Sequence, residues 1–116
     1  QLQQQIALLN QAQESGATPV SCQGIVFSRS LSQQMTGEDV KCLQAILNQS
    51  SDTQVASSGV GSLGRETNYF GNLTRSAVIK FQEKYRSEIL TPLGLSSGTG
   101  YVGNSTITKL NQLLGQ

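Results

Sequence analysis

Few side chains in this sequence could carry acid–base or nucleophilic chemistry. Histidine is absent, and Asp and Glu together number 7 in 116 residues. Without a histidine base, no serine or cysteine has an evident partner to activate it. Asp39 reads as a first-turn residue of a helix, where a carboxylate meets free backbone N–H groups. A glycosidase-type carboxylate pair is the one catalytic arrangement left, and little in the sequence favours it. Asp52 and Glu66 flank a long loop, but two carboxylates are few for Ca²⁺. Two cysteines are too few for a zinc site. The expectation is a non-enzyme with no cofactor and no metal.

Binding chemistry has better candidates. The plausible contacts are Tyr69, Asn72, Arg75, Tyr101 and Asn104. Both tyrosines precede expected helix N-termini, whose unpaired N–H groups suit a carboxylate or an acetamide oxygen. The competing reading makes both tyrosines partly buried turn residues. Gln44 and Gln82 are expected to hydrogen-bond loop backbone. Asn48, Asn72 and Asn104 each open a formal glycosylation sequon, although helix capping accounts for Asn72 and Asn104 without sugar.

Cys22 and Cys42 are either unrelated buried thiols or one disulfide of an oxidising compartment. The disulfide is the expected state. It closes a loop of about 20 residues and stabilises by about 3 kcal/mol in the chain-entropy model.

Three helices must position these residues. Val40, Leu43, Ile46 and Leu47 form the apolar stripe of a helix over 38–49, with Thr36 and Asp39 as a loose capping box. Leu73, Ala77, Val78, Phe81 and Tyr85 line a second helix over 73–87, capped by Asn72 or Thr74. Ile107, Leu110, Leu113 and Leu114 mark a third, capped by Asn104 or Ser105. The patch Ile25-Val26-Phe27 is expected to tuck into the core, with a short strand as an option. Residues 50–68 form a Ser/Gly-rich loop, long enough to be either functional or a tolerated insertion.

Composition narrows the partners. Net charge is +1, charged residues are 13% and aromatics 5%. No Lys/Arg run exists to track a phosphate backbone, so nucleic acid is not expected. No apolar stretch reaches the about 18 residues that span a bilayer. The neutral polar surface of Gln, Asn, Ser and Thr suits an extracellular setting. No initiator Met and no signal segment is seen, as expected of either a processed mature protein or a piece cut from a longer one.

One pattern repeats. T-N-Y-F-G-N-L-T from Thr67 to Thr74 aligns without gaps with T-G-Y-V-G-N-S-T from Thr99 to Thr106. Each is an aromatic-apolar-Gly turn ahead of a helix. Gly37-Glu-Asp-Val-Lys-Cys-Leu-Gln44 with Leu47-Asn48 resembles the first-helix signature of the peptidoglycan-binding-like domain. Tyr69-Phe-Gly71 with Thr74, Ala77-Val78 and Phe81-Gln82 resembles its central signature. Tyr101-Val-Gly103 with Thr106 and Leu110-Asn111 resembles its closing helix. The likeness covers about Phe27 to Leu114 and is strongest to the exported versions of very small uncultured bacteria. Relatives often carry Pro where Asn72 and Asn104 stand.

The resemblance implies an all-α three-helix bundle with long loops, at 27–116. A linker at 16–26 and an N-terminal amphipathic Gln-rich helix at 1–15 precede it. It implies a non-catalytic module that holds an exported, extracytoplasmic protein on peptidoglycan, through the glycan or the stem peptide. The alternative is a subunit of an extracellular homopolymer, a filament or surface layer. Leu2, Ile6 and Leu9 motivate it: their stripe must be buried, against a neighbouring chain as an oligomerisation element or back on the same domain.

Overall fold

The computed structural model describes residues 18–115. Four α-helical segments lie among them: α1 (Glu38–Leu47), α2 (Asn72–Lys84), the single turn α3 (Arg86–Ile89) and α4 (Asn104–Leu113). Short 3-10 turns occur at Val20–Cys22 and Thr91–Leu93. The described residues hold no β-strand, so the optional strand near Ile25 does not form. The expected N-terminal helix, with Leu2, Ile6 and Leu9, lies outside the described residues. No described helix is long and apolar enough to cross a membrane.

Sequence periodicity explains the core. Val40, Leu43, Ile46 and Leu47 are all buried along α1, as are Ala77, Val78 and Phe81 along α2. Phe27 is buried and Ile25 packs against the core, while Val26 is exposed. Two expected core positions are surface instead: Leu73 is 56% exposed and Leu113 is 40% exposed. Leu73 is the second residue of α2, and the inward position of that first turn is taken by Thr74, which is buried.

The helix ends differ from the expected caps. Gly37, Gly71 and Gly103 are the N-caps of α1, α2 and α4, and none makes a side-chain cap bond. Asn72 and Asn104 are the first helical residues. The expected box at Thr36 and Asp39 does not form. The Thr36 carbonyl accepts from Arg29 Nη2 at 2.8 Å, and Asp39 pairs with Arg29 Nε at 2.8 Å. The helix expected to run to 87 breaks at Tyr85, with φ −106° and ψ 39°. The break re-aims the chain so that Ile89 and Leu90, each 1% exposed, enter the core.

A leading segment ties the helices together. Cys22 and Cys42 are joined by a disulfide, which fixes the first 3-10 turn to α1. The Asn111 amide of α4 donates to the Phe27 carbonyl at 3.0 Å and accepts from the Phe27 N–H at 2.9 Å. Farther on, Leu31 makes an antiparallel bridge with Val102, and Thr36 makes one with Tyr69. The few residues from Leu31 to Thr36 therefore hold both repeated turns side by side.

Candidate functional site

The first repeated turn is shaped by one buried amide. Gln44, on α1, is 1% exposed. Its Nε2 donates to the Tyr69 carbonyl at 2.8 Å and the Thr74 hydroxyl at 3.0 Å. Its Oε1 accepts from the Thr67 N–H at 2.7 Å. An amide side chain both donates and accepts, so one residue satisfies both polarities of a turn that has no sheet to pair with.

The second turn copies the first. Gln82, on α2, donates to the Tyr101 carbonyl at 2.7 Å and the Thr106 hydroxyl at 3.2 Å. It accepts from the Thr99 N–H at 2.8 Å and from the Gly100 N–H at 3.1 Å. Phe70 and Val102, the apolar residues of the two turns, are both fully buried. The expectation that Gln44 and Gln82 hydrogen-bond loop backbone is met. The arrangement is also a relay: α1 clamps the turn that starts α2, and α2 clamps the turn that starts α4.

Each tyrosine lies over the glycine that follows it. A Cβ on Gly71 would stand 3.1 Å from Tyr69 Cε2, and a Cβ on Gly103 would stand 3.1 Å from Tyr101 Cε2. The rings are held flat against backbone yet remain about half open, Tyr69 at 49% and Tyr101 at 50%. A half-open ring beside a helix N-terminus presents an apolar face next to hydrogen-bond donors, a pairing suited to sugars and small amides.

The surroundings of the two rings differ. Beside Tyr69 runs a groove of about 210 Å³ lined by Val55, Val60, Gly61, Gly71, Asn72 and Leu73, with Gln44 and the threonines at its base. Its far wall is the Ser/Gly-rich loop. Asn48 holds that loop: its Nδ2 donates to the Gly61 carbonyl and to Glu66, each at 2.9 Å, and its Oδ1 accepts from the Val55 N–H at 2.8 Å. Thr53 donates to the Leu47 carbonyl at 2.7 Å. The loop expected to be functional or merely tolerated is thus anchored to the C-terminal end of α1, at Leu47 and Asn48. Sequence reasoning missed Val55, Val60, Gly61 and Leu73 as groove residues. Val55 and Val60, among the few apolar residues of a Ser/Gly-rich loop, were the available signal.

The second turn has no such wall. Arg75 reaches it from the first turn of α2, and a Cβ on Gly100 would stand 2.7 Å from Arg75 Cγ. Arg75 therefore sits beside Tyr101 rather than with Tyr69 and Asn72 in the groove. The Asn72 side chain accepts from Gln33, and Asn104 is exposed at the start of α4. The five candidate residues form two neighbouring groups, not one cluster.

Electrostatics at the site is quiet. The hydrogen bond and charge of Arg29 hold Asp39 below the usual carboxylate range against a desolvation cost. Asp52 is also lowered, first by Ser50 and then by Lys84 at 3.2 Å. Glu66 is occupied by Asn48 and by the Gly64 N–H at 3.1 Å. Asp52 and Glu66 thus have separate partners. The described residues contain no group of three His, Cys, Asp or Glu placed to hold a metal ion.

No curated protein and no solved structure matches the chain. Residues 36–89 match the family described as "Putative peptidoglycan binding domain". That span holds the Gln44 clamp, the anchored loop, the first turn and the groove. The match supports a peptidoglycan-binding-like domain over those residues.

Proposed function

We propose that this chain is a non-catalytic module that holds an exported bacterial protein on peptidoglycan, and that the groove beside Tyr69 is its main contact. The observation that carries the reading is the half-open Tyr69 ring fixed over Gly71 inside the matched span, facing a wall of Val55 and Val60. A groove of about 210 Å³ is below the roughly 300 Å³ of a drug-sized site, so it takes one small unit of the polymer. The ring and valines suit the face or acetamide methyl of an N-acetyl sugar, or an alanine methyl of the stem peptide. Asn72 and the α2 N–H groups suit its oxygen atoms. Tyr101, Asn104 and Arg75 form a second, shallower contact.

In this reading α1, α2 and α4 act as a three-helix bundle. The disulfide extends the folded unit back from Phe27 to about Pro19. The disulfide also supports an extracytoplasmic location. Non-catalytic action is supported by the absence of histidine and of any nucleophile beside a base.

The test is co-sedimentation of the full chain with purified sacculi. Wild type is expected to be retained, and Tyr69→Ala to lose about tenfold in affinity, about 1.4 kcal/mol. Soluble glycan chains and free stem peptides, added as competitors, tell which part is held. A well-folded wild type that stays in the supernatant would overturn the reading.

A further inference from the structure

The turn at Ser32–Met35 lies between the two repeated turns, and a sulfur closes it. The Met35 N–H donates to the Ser32 carbonyl at 3.2 Å, and the Ser32 N–H donates back to the Met35 thioether sulfur at 3.2 Å. The Ser32 hydroxyl adds a longer contact to the same sulfur at 3.5 Å. Between them Gln34 has φ 79°, the one positive value outside glycine among the described residues. Turns usually give that position to Gly or Asn, so Gln34 keeps it only while its surroundings hold it there. The same short turn grips the Tyr69 side of the molecule. The Gln34 N–H donates to the Phe70 carbonyl at 2.7 Å, and the Met35 carbonyl accepts from the Phe70 N–H at 2.9 Å. Gln33 donates to the Asn72 side chain. The Tyr101 side is held one residue before the turn, by the Leu31–Val102 bridge.

Met35 is also the side chain most open to peroxide. The sequence has one Met and no Trp or His, and its two cysteines are joined in the disulfide. Met35 is partly exposed at the edge of the core, within reach of a small oxidant. We propose that Met35 is a site of oxidation by hydrogen peroxide, and that its sulfoxide opens the Ser32–Met35 turn and releases the Tyr69 turn while the Tyr101 turn stays in place. The sulfur lone pair attacks one peroxide oxygen, and the S–O bond forms as the O–O bond breaks. The proton on the transferred oxygen passes to the departing hydroxide, which leaves as water. Sulfur loses two electrons and the peroxide gains them. An N–H···O bond alone needs about 2.9 Å, and the sulfur already stands 3.2 Å from the Ser32 nitrogen. An oxygen added on that side forces the two apart. Added on the other side, it sets a polar group against the core and draws the side chain out. Either way the clasp around Gln34 is lost.

Loosened wall attachment follows only if Tyr69 holds the wall, so the test reads the turns themselves. The full chain, disulfide intact, is treated with hydrogen peroxide until mass spectrometry finds one added oxygen on the peptide that carries Met35. In amide NMR the resonances of Ser32–Thr36 and Asn68–Phe70 are expected to shift, and exchange of the Gln34 and Phe70 N–H groups to speed at least about tenfold. Exchange at Leu31 and Val102 is expected to stay within about twofold of the untreated protein. Met35→Leu keeps the volume and removes the sulfur, so the same peroxide is expected to leave its spectrum unchanged. A Met35 that resists peroxide under conditions that oxidise free methionine would overturn the proposal. So would an oxidised protein with unchanged Phe70 exchange, an equal acceleration at Val102, or peroxide-induced shifts in Met35→Leu.

Discussion

The turns at Thr67–Thr74 and Thr99–Thr106 share a glutamine clamp and differ in their surroundings. Gln44 and Gln82 make matching bonds, the tyrosines lie at matching distances over their glycines, and Phe70 and Val102 are buried alike. What differs is the neighbour. The first turn faces an anchored loop and a groove, while the second faces Arg75. The clamp is therefore an architectural device used twice, and a repeated Tyr-x-Gly-Asn turn is not in itself a ligand site. In the proposed reading, binding depends on what is built beside it. The family match ends at residue 89, so it contains the walled turn and not the other.

The largest way to break this comparison is to remove a clamp. Gln44→Leu and Gln82→Leu keep most of the volume but strand a turn carbonyl and at least one N–H. Each buried orphan costs about 1–3 kcal/mol, so each variant is expected to lose about 3–4 kcal/mol in urea unfolding. Near-equal losses are the expected result. A variant that unfolds like wild type would mean that its turn is held by the leading segment alone.

The disulfide is one-sided: it pins the start of the leading segment directly to α1, the helix that clamps the first turn. Its reduction, or Cys22→Ser with Cys42→Ser, is expected to cost about 3 kcal/mol in the chain-entropy account. Amide exchange is expected to rise first at Val20–Cys22 and in α1, and later around Thr99–Thr106. Simultaneous loosening of both turns would show that the two halves do not open separately.

How much of this was legible follows physical lines. The helices, the glutamine clamps and the disulfide were legible because each depends on local spacing or on a repeated motif. The groove was not. Its wall depends on Asn48 meeting Val55, Gly61 and Glu66, contacts from a loop with no period. The break at Tyr85 was also hidden, since no Gly or Pro marks it. Tyr85 packs at 5.0 Å on Phe81 and under Lys109 at 4.4 Å, so tertiary contacts set it. The caps were misjudged for a related reason. Thr74 looked free to cap, but its hydroxyl serves Gln44, and a glycine at the cap lets the tyrosine ring lie close over the backbone.

That last requirement yields a smaller, paired test. Gly71→Ala and Gly103→Ala place a methyl 3.1 Å from the tyrosine ring. Neither glycine has positive φ, so the backbone tolerates alanine and the half-open ring can tilt away. Stability is expected to change by less than about 1 kcal/mol in both, since lost unfolded-state entropy offsets part of the contact. Sacculus binding is expected to fall for Gly71→Ala and to change little for Gly103→Ala. An equal fall would assign both tyrosines the same weight.

The smallest effect concerns acid, and it too separates the two turns. Asp39 and Asp52 both lie on the first-turn side, and both are held below the ordinary carboxylate value by hydrogen bonds and a nearby cation. A carboxylate with a depressed folded pKa stabilises above its unfolded value, near 3.9, and that contribution is lost as pH falls through the folded pKa. With no histidine in the chain, stability is expected to vary little between about pH 8 and 5. Below about pH 4, protonation releases Lys84 from Asp52 and Arg29 from Asp39. Both pairs are partly exposed, so the effect on global stability is small. The local effect is directional: amides of the loop around Ser50–Val55 and of the start of α1 are expected to shift, while Thr99–Thr106 stays fixed. An amide NMR titration from pH 7 to 3 checks this. Shifts of equal size in the second turn would mean that the acid-sensitive contacts brace the whole molecule and not the walled half alone.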